Sequence, residues 1–178
     1  QMELIHAISK VNPNIILVVI SGGPCSVSPI LKEVKALIYA FYPGQEAGRA
    51  IVDVLFGKYN PSGKLPATIP KNDAQILPIS PDFRNMAIKG VGYRWFDQNQ
   101  IEPEFAFGSG LSYTQFEYSN ISVNSRSAKL GDQIIVSFNL KNTGNIKGEE
   151  VAQLYLSTGK LVSNIPMPIK QLKGFHKV

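Results

Sequence analysis

Apolar residues recur at helical spacing over the first eleven positions, at Met2, Leu4, Ile5, Ile8 and Val11. A period near 3.6 predicts an amphipathic helix, and Asn12-Pro13-Asn14 stops it, because proline offers no N–H and restricts the residue before it. The pattern then changes. Residues 15–20 (I-I-L-V-V-I) form a continuous aliphatic run that ends at Ser21-Gly22-Gly23-Pro24. Such a run predicts a strand buried on both faces, as in a parallel sheet. Residues 36–41 (A-L-I-Y-A-F) are a second run of this kind, and a short helix is predicted between them over 27–34.

Over 45–56 the positions Ala47, Ala50, Ile51, Val54 and Leu55 line one helical face, and Gly57 supplies the stop. Glu46 falls in the first turn, where the helix dipole favours a negative charge, with Arg49 as a partner one turn on. Asp53 lies four residues after Arg49 and can pair with it. Asn60-Pro61-Ser62-Gly63 is a turn, and 65–69 reads as a brief strand. Alternating strand and helix predicts an α/β layer structure.

Residues 71–101 are rich in Pro, Asn and Asp and weakly periodic, which predicts a long loop. The segment 90–97 (G-V-G-Y-R-W-F-D) interrupts it with aromatics around Arg94. Two readings stand for that cluster: a packed excursion, or part of a rim whose flat rings contact sugar. At 105–118 (F-A-F-G-S-G-L-S-Y-T-Q-F-E-Y) the glycines Gly108 and Gly110 sit between aromatic flanks. Glycine admits positive φ, so this stretch predicts a sharp joint between two packed units. Beyond it the period becomes two. Strands are predicted around Phe116 to Val123, over 134–140, over 151–156 and over 169–175, with a turn at Asn142-Thr143-Gly144-Asn145. This spacing suggests an antiparallel β-sandwich, although about four strands fit where an immunoglobulin-type sandwich has about seven. The expected fold class is α/β followed by all-β.

Composition changes this picture little. The 178 residues are 44% hydrophobic and 17% charged, ordinary for a globular protein. The net charge is +5, but Lys141, Lys147, Lys160, Lys170, Lys173 and Lys177 are scattered, which predicts a solvated face and no nucleic-acid partner. Cys25 is the sole cysteine, so an intrachain disulfide is excluded. His6 and His176 stand at opposite ends without ligand spacing, so neither a metal nor another cofactor is expected. The run 15–20 is too short to span a bilayer, so no membrane partner is expected. Residues 1–10 lack a basic region followed by an apolar core and do not read as a signal peptide. The chain opens inside a predicted helix without Met and stops directly after a predicted strand, so the expectation is a piece of a longer protein.

Candidate chemistry is sparse. Ser21-Gly22-Gly23 follows a strand, as phosphate-cradling loops do, but lacks the spacing of such motifs and reads as a tight turn. Gly108-Ser109-Gly110 is not a nucleophile elbow. Glu102 and Glu104 flank Pro103 and are expected to be exposed. Glu149 and Glu150 are neighbours on a strand edge, point to opposite faces and cannot converge. Glu46 lies at a strand-to-helix junction, where α/β folds place ligands, but also reads as a carboxylate facing a helix dipole. Asn120-Ile121-Ser122 is a glycosylation sequon.

Several segments, in order, resemble glycoside hydrolase family 3, the β-glucosidase and β-xylosidase family. They are 15–24 (I-I-L-V-V-I-S-G-G-P), 43–70 (from P-G-Q-E-A-G-R to A-T-I-P), 91–97 (V-G-Y-R-W-F-D) and 107–118 (F-G-S-G-L-S-Y-T-Q-F-E-Y). N-T-G at 142–144, G-E-E-V-A-Q-L-Y-L at 148–156 and K-Q-L-K-G-F-H-K-V at 170–178 complete the series. Ser109 departs from the aromatic residue usual between those glycines. The resemblance implies that residues 1–112 are the later part of a mostly parallel α/β sandwich. Residues 113–178 would then be the first part of a fibronectin type III-like domain. It implies a retaining exo-acting β-glucosidase as parent, whose barrel Asp attacks the anomeric carbon while a Glu protonates the leaving oxygen. Both carboxylates are expected upstream, so no catalytic residue is carried over to this chain. Implied partners are a glycoside or oligosaccharide substrate and the barrel-bearing remainder of the parent, with homo-oligomers also expected. A secreted or periplasmic location is implied. The rival expectation is a non-catalytic carbohydrate-binding or structural module.

Overall fold

Two regimes of strand pairing mark the chain, parallel between its first two strands and antiparallel among the four strands after the glycine joint. A computed structural model describes residues 1–77, 90–157 and 167–178. Helix α1 (Met2–Ser9) leads into strand β1 (Ile16–Val19), a 3-10 helix (Ser28–Glu33), strand β2 (Ala36–Tyr39) and helix α2 (Ala47–Leu55). A 3-10 turn (Asp73–Gln75) and helix α3 (Tyr93–Gln98) precede strands β3 (Phe116–Val123), β4 (Val136–Asn142), β5 (Val151–Ser157) and β6 (Lys170–Lys177).

Strands β1 and β2 pair in parallel, from Ile16 opposite Ala36 to Val19 opposite Tyr39. A parallel pair needs a crossover, and the 3-10 helix supplies it, anchored by the buried Ile30. Helix α1 packs on that crossover, where Ser9 Oγ donates to Glu33 Oε2 at 2.8 Å and His6 Nδ1 meets the other carboxylate oxygen. Burial of β1 on both faces, expected from its aliphatic run, does not hold. Ile16 is 52% and Ile20 59% exposed, because no described element covers their side of the two-stranded pair.

Helix α2 ends as its sequence requires. Gly57 takes φ +73° and its N–H reaches Val54 O at 3.0 Å, a left-handed stop that costs glycine little. Ala47, Ile51, Val54 and Leu55 are half-buried, whereas Ala50 is exposed. The brief strand expected at 65–69 is reduced to a single bridge, Ile69 to Phe105. Leu65 and Ile69 still exchange backbone bonds of 2.8–3.3 Å with the joint, but a turn over 106–109, closed by Ser109 N to Ala106 O at 3.1 Å, interrupts the ladder between them. Ile69 itself is fully buried, at 0% exposure.

The four strands expected after the joint are present as two antiparallel pairs, β3 with β4 and β5 with β6. Each pair carries an irregularity, between Ser119 and Ser122 and between Leu154 and Tyr155. At the first, Asn120 sits at φ +53°. The long loop expected at 71–101 holds the 3-10 turn and α3 in its described parts; 78–89 lie outside the described residues. Among the described residues, no helix is long and apolar enough to cross a membrane.

Candidate functional site

The joint brings the two halves of the chain into polar contact. Gly108 has φ +78°, and its carbonyl accepts from Gln153 Nε2 on β5 at 2.8 Å. Tyr155 Oη in turn donates to Gln153 Oε1 at 2.7 Å. A Cβ at position 108 would overlap the Gln153 amide and lie 3.0 Å from Tyr155 Oη, so glycine is required by conformation and by space. Lys64 donates to Gly110 O at 3.1 Å and pairs with Glu150 at 3.0 Å, with the two side chains only 16% and 13% exposed. Asn60 Oδ1 accepts from Ser112 Oγ and Tyr113 N, while its Nδ2 donates to Lys147 O.

A small cavity of about 90 Å³ opens beside this joint, where α3 meets Phe107, β5 and β6. Helix α3 turns Phe96 inward to 7% exposure, and Trp95 Nε1 donates to Gln75 O at 3.0 Å, which sets the helix's rotation. Tyr93 stacks on Phe107 with centroids 4.8 Å apart and meets Tyr155 edge-on at 6.0 Å. The aromatic segment is thus packed, and the cavity wall is made by Tyr93 and Phe96. Tyr93 Oη accepts from Leu172 N at 2.9 Å. Burial opposes ionisation of this phenol, yet the Leu172 amide and the Arg94 guanidinium together hold it below the usual tyrosine value. Two of the lining residues carry a buried oxygen that has no hydrogen-bond partner among the described residues, Thr68 Oγ1 and Asp97 Oδ2. The latter has Lys170 Nζ at 3.5 Å, and that ammonium also lies 5.8 Å from the Tyr155 ring centroid.

The carboxylates singled out in the sequence are spread over the molecule. Glu46 occupies the N-cap position of α2 without a side-chain capping bond, exposed and with no ion pair among the described residues; Arg49 turns to Asp53 instead, at 3.9 Å. Glu102 is exposed as expected and pairs with Lys71 at 2.9 Å, a contact that lowers its pKa. Glu104 is not exposed: it is half-buried and accepts from Ser28 Oγ, because the backbone bonds between 104–105 and Ile69 draw it against the crossover. Glu149 and Glu150 do separate, the first to Lys177, Tyr59 and Ser62, the second to Lys64 and Tyr118. At the end of β1, Ser21 Oγ bonds back to Gly23 O at 2.6 Å within the turn. Nearby Tyr39 Oη donates to Cys25 O, and burial, then Cys25, push its pKa up. Among the described residues, no three His, Cys, Asp or Glu side chains group as metal ligands would.

Comparison with known proteins places this arrangement in a class. Residues 1–113 match the profile described as "Glycosyl hydrolase family 3 C-terminal domain". The chain belongs to glycosyl hydrolase family 3. It is 43% identical to thermostable beta-glucosidase B of Acetivibrio thermocellus, over 100% of this chain and 24% of that protein. It is 38% identical to beta-glucosidase BoGH3A of Bacteroides ovatus, over 100% of this chain and 25% of that protein. Among solved structures, the beta-D-glucoside glucohydrolase of Trichoderma reesei matches with a TM-score of 0.86 at 35% identity, covering 99% of this chain and 27% of that one. Beta-glucosidase 3B of Thermotoga neapolitana, solved in complex with glucose, gives 0.86 at 34%, covering 99% and 26%. The chain therefore spans about a quarter of the length of these relatives.

Sequence reasoning marked Tyr93 and Phe96 but missed Thr68, Tyr155 and Lys170. Nothing local flags those three, since they come from separate segments that only the fold gathers.

Proposed function

We propose that this chain serves as part of the scaffold of a retaining exo-β-glucosidase that releases terminal non-reducing β-D-glucosyl residues. The observation that carries the reading is 43% identity, over the full length of the chain, to a protein named as a beta-glucosidase. In this reading the parallel β1–β2 pair belongs to an α/β sandwich over 1–112, and β3 to β6 belong to a fibronectin type III-like unit over 113–178. The nucleophilic Asp and the acid/base Glu reside on other polypeptide of the same enzyme, the Asp on a barrel. Retention requires those two carboxyl groups about 5–5.5 Å apart. Two features of the chain support a supporting role. The carboxylates of the joint, Glu149 and Glu150, are consumed by structural partners. The aliphatic side chains of β1 remain open to a further layer.

The test is an assay of the full-length gene product on an aryl β-D-glucoside, with the anomer first released followed by NMR. Turnover releasing β-glucose is expected, and the 178-residue chain alone should match a heat-killed control. Failure of the full-length protein to cleave any β-glucoside, or turnover by the short chain, overturns the reading.

A further inference from the structure

The structure assigns a covalent modification site on β3: Asn120 is an acceptor for an asparagine-linked oligosaccharide, delivered in a secretory pathway from a lipid-pyrophosphate carrier. Asn120-Ile121-Ser122 has the N-x-S spacing with a residue other than proline in the middle, and no other triplet of the sequence meets that rule. The fold leaves this triplet open. Ser119 stands opposite Asn139 and Ser122 opposite Ser137, so two residues of β3, Asn120 and Ile121, face Phe138 alone. A bulge of this kind takes its extra residue out of the ladder. Asn120 has φ +53° there, a left-handed conformation that asparagine adopts more readily than most residues. Asn120, Ile121 and Ser122 are all exposed. Neither the Asn120 carboxamide nor the Ser122 hydroxyl makes a hydrogen bond among the described residues.

Asn60-Pro61-Ser62 shows the same residue types serving the fold. Its proline breaks the acceptor rule, Ser62 is buried, and the Asn60 side chain is held by Ser112, Tyr113 and Lys147. At Asn120 the carboxamide nitrogen is free to enter a substitution at sugar C1. That nitrogen forms the new bond to C1 of the carrier's first sugar, and the bond from C1 to the pyrophosphate oxygen breaks. The lipid pyrophosphate leaves with the electron pair, and the nitrogen gives one proton to a base of the transferase. The oligosaccharide then stands beside Tyr118, Ile121 and Val123, large side chains that β3 exposes, and hydrates that apolar surface.

The full-length gene product, fused to a secretory leader, is produced in yeast, and intracellular and exported protein are pooled. Treatment of the native protein with a peptide amidase in H₂¹⁸O releases asparagine-linked glycans and leaves ¹⁸O-labelled Asp in their place. Mass spectrometry then reads the tryptic peptide that contains position 120. The label is expected at Asn120 in most molecules. Asn120→Gln and Ser122→Ala should each abolish it, whereas Ser122→Thr, which keeps the hydroxyl, should retain it. An unlabelled peptide that carries no glycan in the unmutated protein overturns the site. So does a label that survives Ser122→Ala. A glycan released only after denaturation overturns the exposed placement of Asn120 on β3. Occupancy is read on one peptide, so it stands or falls separately from β-glucosidase activity.

Discussion

Glu149 shows how one side chain at the joint makes stability depend on pH. The hydrogen bond from Lys177 is the main reason its pKa lies below the ordinary glutamate value of 4.5, with Tyr59 next, burial opposing them and Ser62 adding least. A carboxylate whose folded value is lowered stabilises the fold above the unfolded value, and that contribution is lost as pH falls through the folded one. Glu149→Gln is therefore expected to lower the melting temperature at pH 7. The gap to the unmutated protein should narrow once pH drops below 4.5 and vanish in stronger acid, as thermal melts across a pH series would show. A gap that persists unchanged into strong acid would assign the effect to lost packing. Gly108 was legible as a joint residue, since its neighbours are aromatic and a G-x-G pair signals a turn. That it must also leave room for Gln153 was not legible, because Gln153 lies 45 residues away. Glu104 failed for the same reason: the partner that buries it, Ser28, is 76 residues distant.

Among the elements, those with a strong local period formed where expected. Helices α1 and α2 follow their 3.6 spacing, and β3 to β6 follow the change of period after Gly110. The segment 65–69 is the instructive exception, because its apolar content suggested a strand while the turn at 106–109 interrupts the segment it would pair with. What survives is a single bridge at Ile69, whose side chain is fully enclosed. Truncation there removes transfer free energy and leaves a cavity. Ile69→Ala is thus expected to cost about 2–5 kcal/mol, measured by urea denaturation. A loss below about 0.5 kcal/mol, the range of ordinary surface changes, would show that this segment contributes little to the core.

For the molecule as a whole, surface area carries the argument. A compact monomer of 19.5 kDa exposes about 8,500 Å². This chain exposes 13499 Å², and large apolar side chains on β1, β3 and β6 lie among the exposed ones. Apolar faces and strand edges of that extent favour association. The isolated chain is expected to form oligomers or aggregates in light scattering, more so as concentration rises. A monodisperse monomer across that range would count against the proposed dependence on further polypeptide.

The resemblance to family 3 was carried by the motifs themselves, while local periodicity and the placement of Gly and Pro determined the order of the elements and the joint at 105–118. They could do so because the spacing of side chains along a backbone is a property of neighbours in sequence. Only the tertiary structure decided which carboxylates are buried, that β1 keeps an open face, and that Thr68, Asp97 and Lys170 share one cavity. Hydrogen bonding and desolvation act through distances in space, and residues brought together from segments up to about a hundred positions apart leave no periodic trace in the chain.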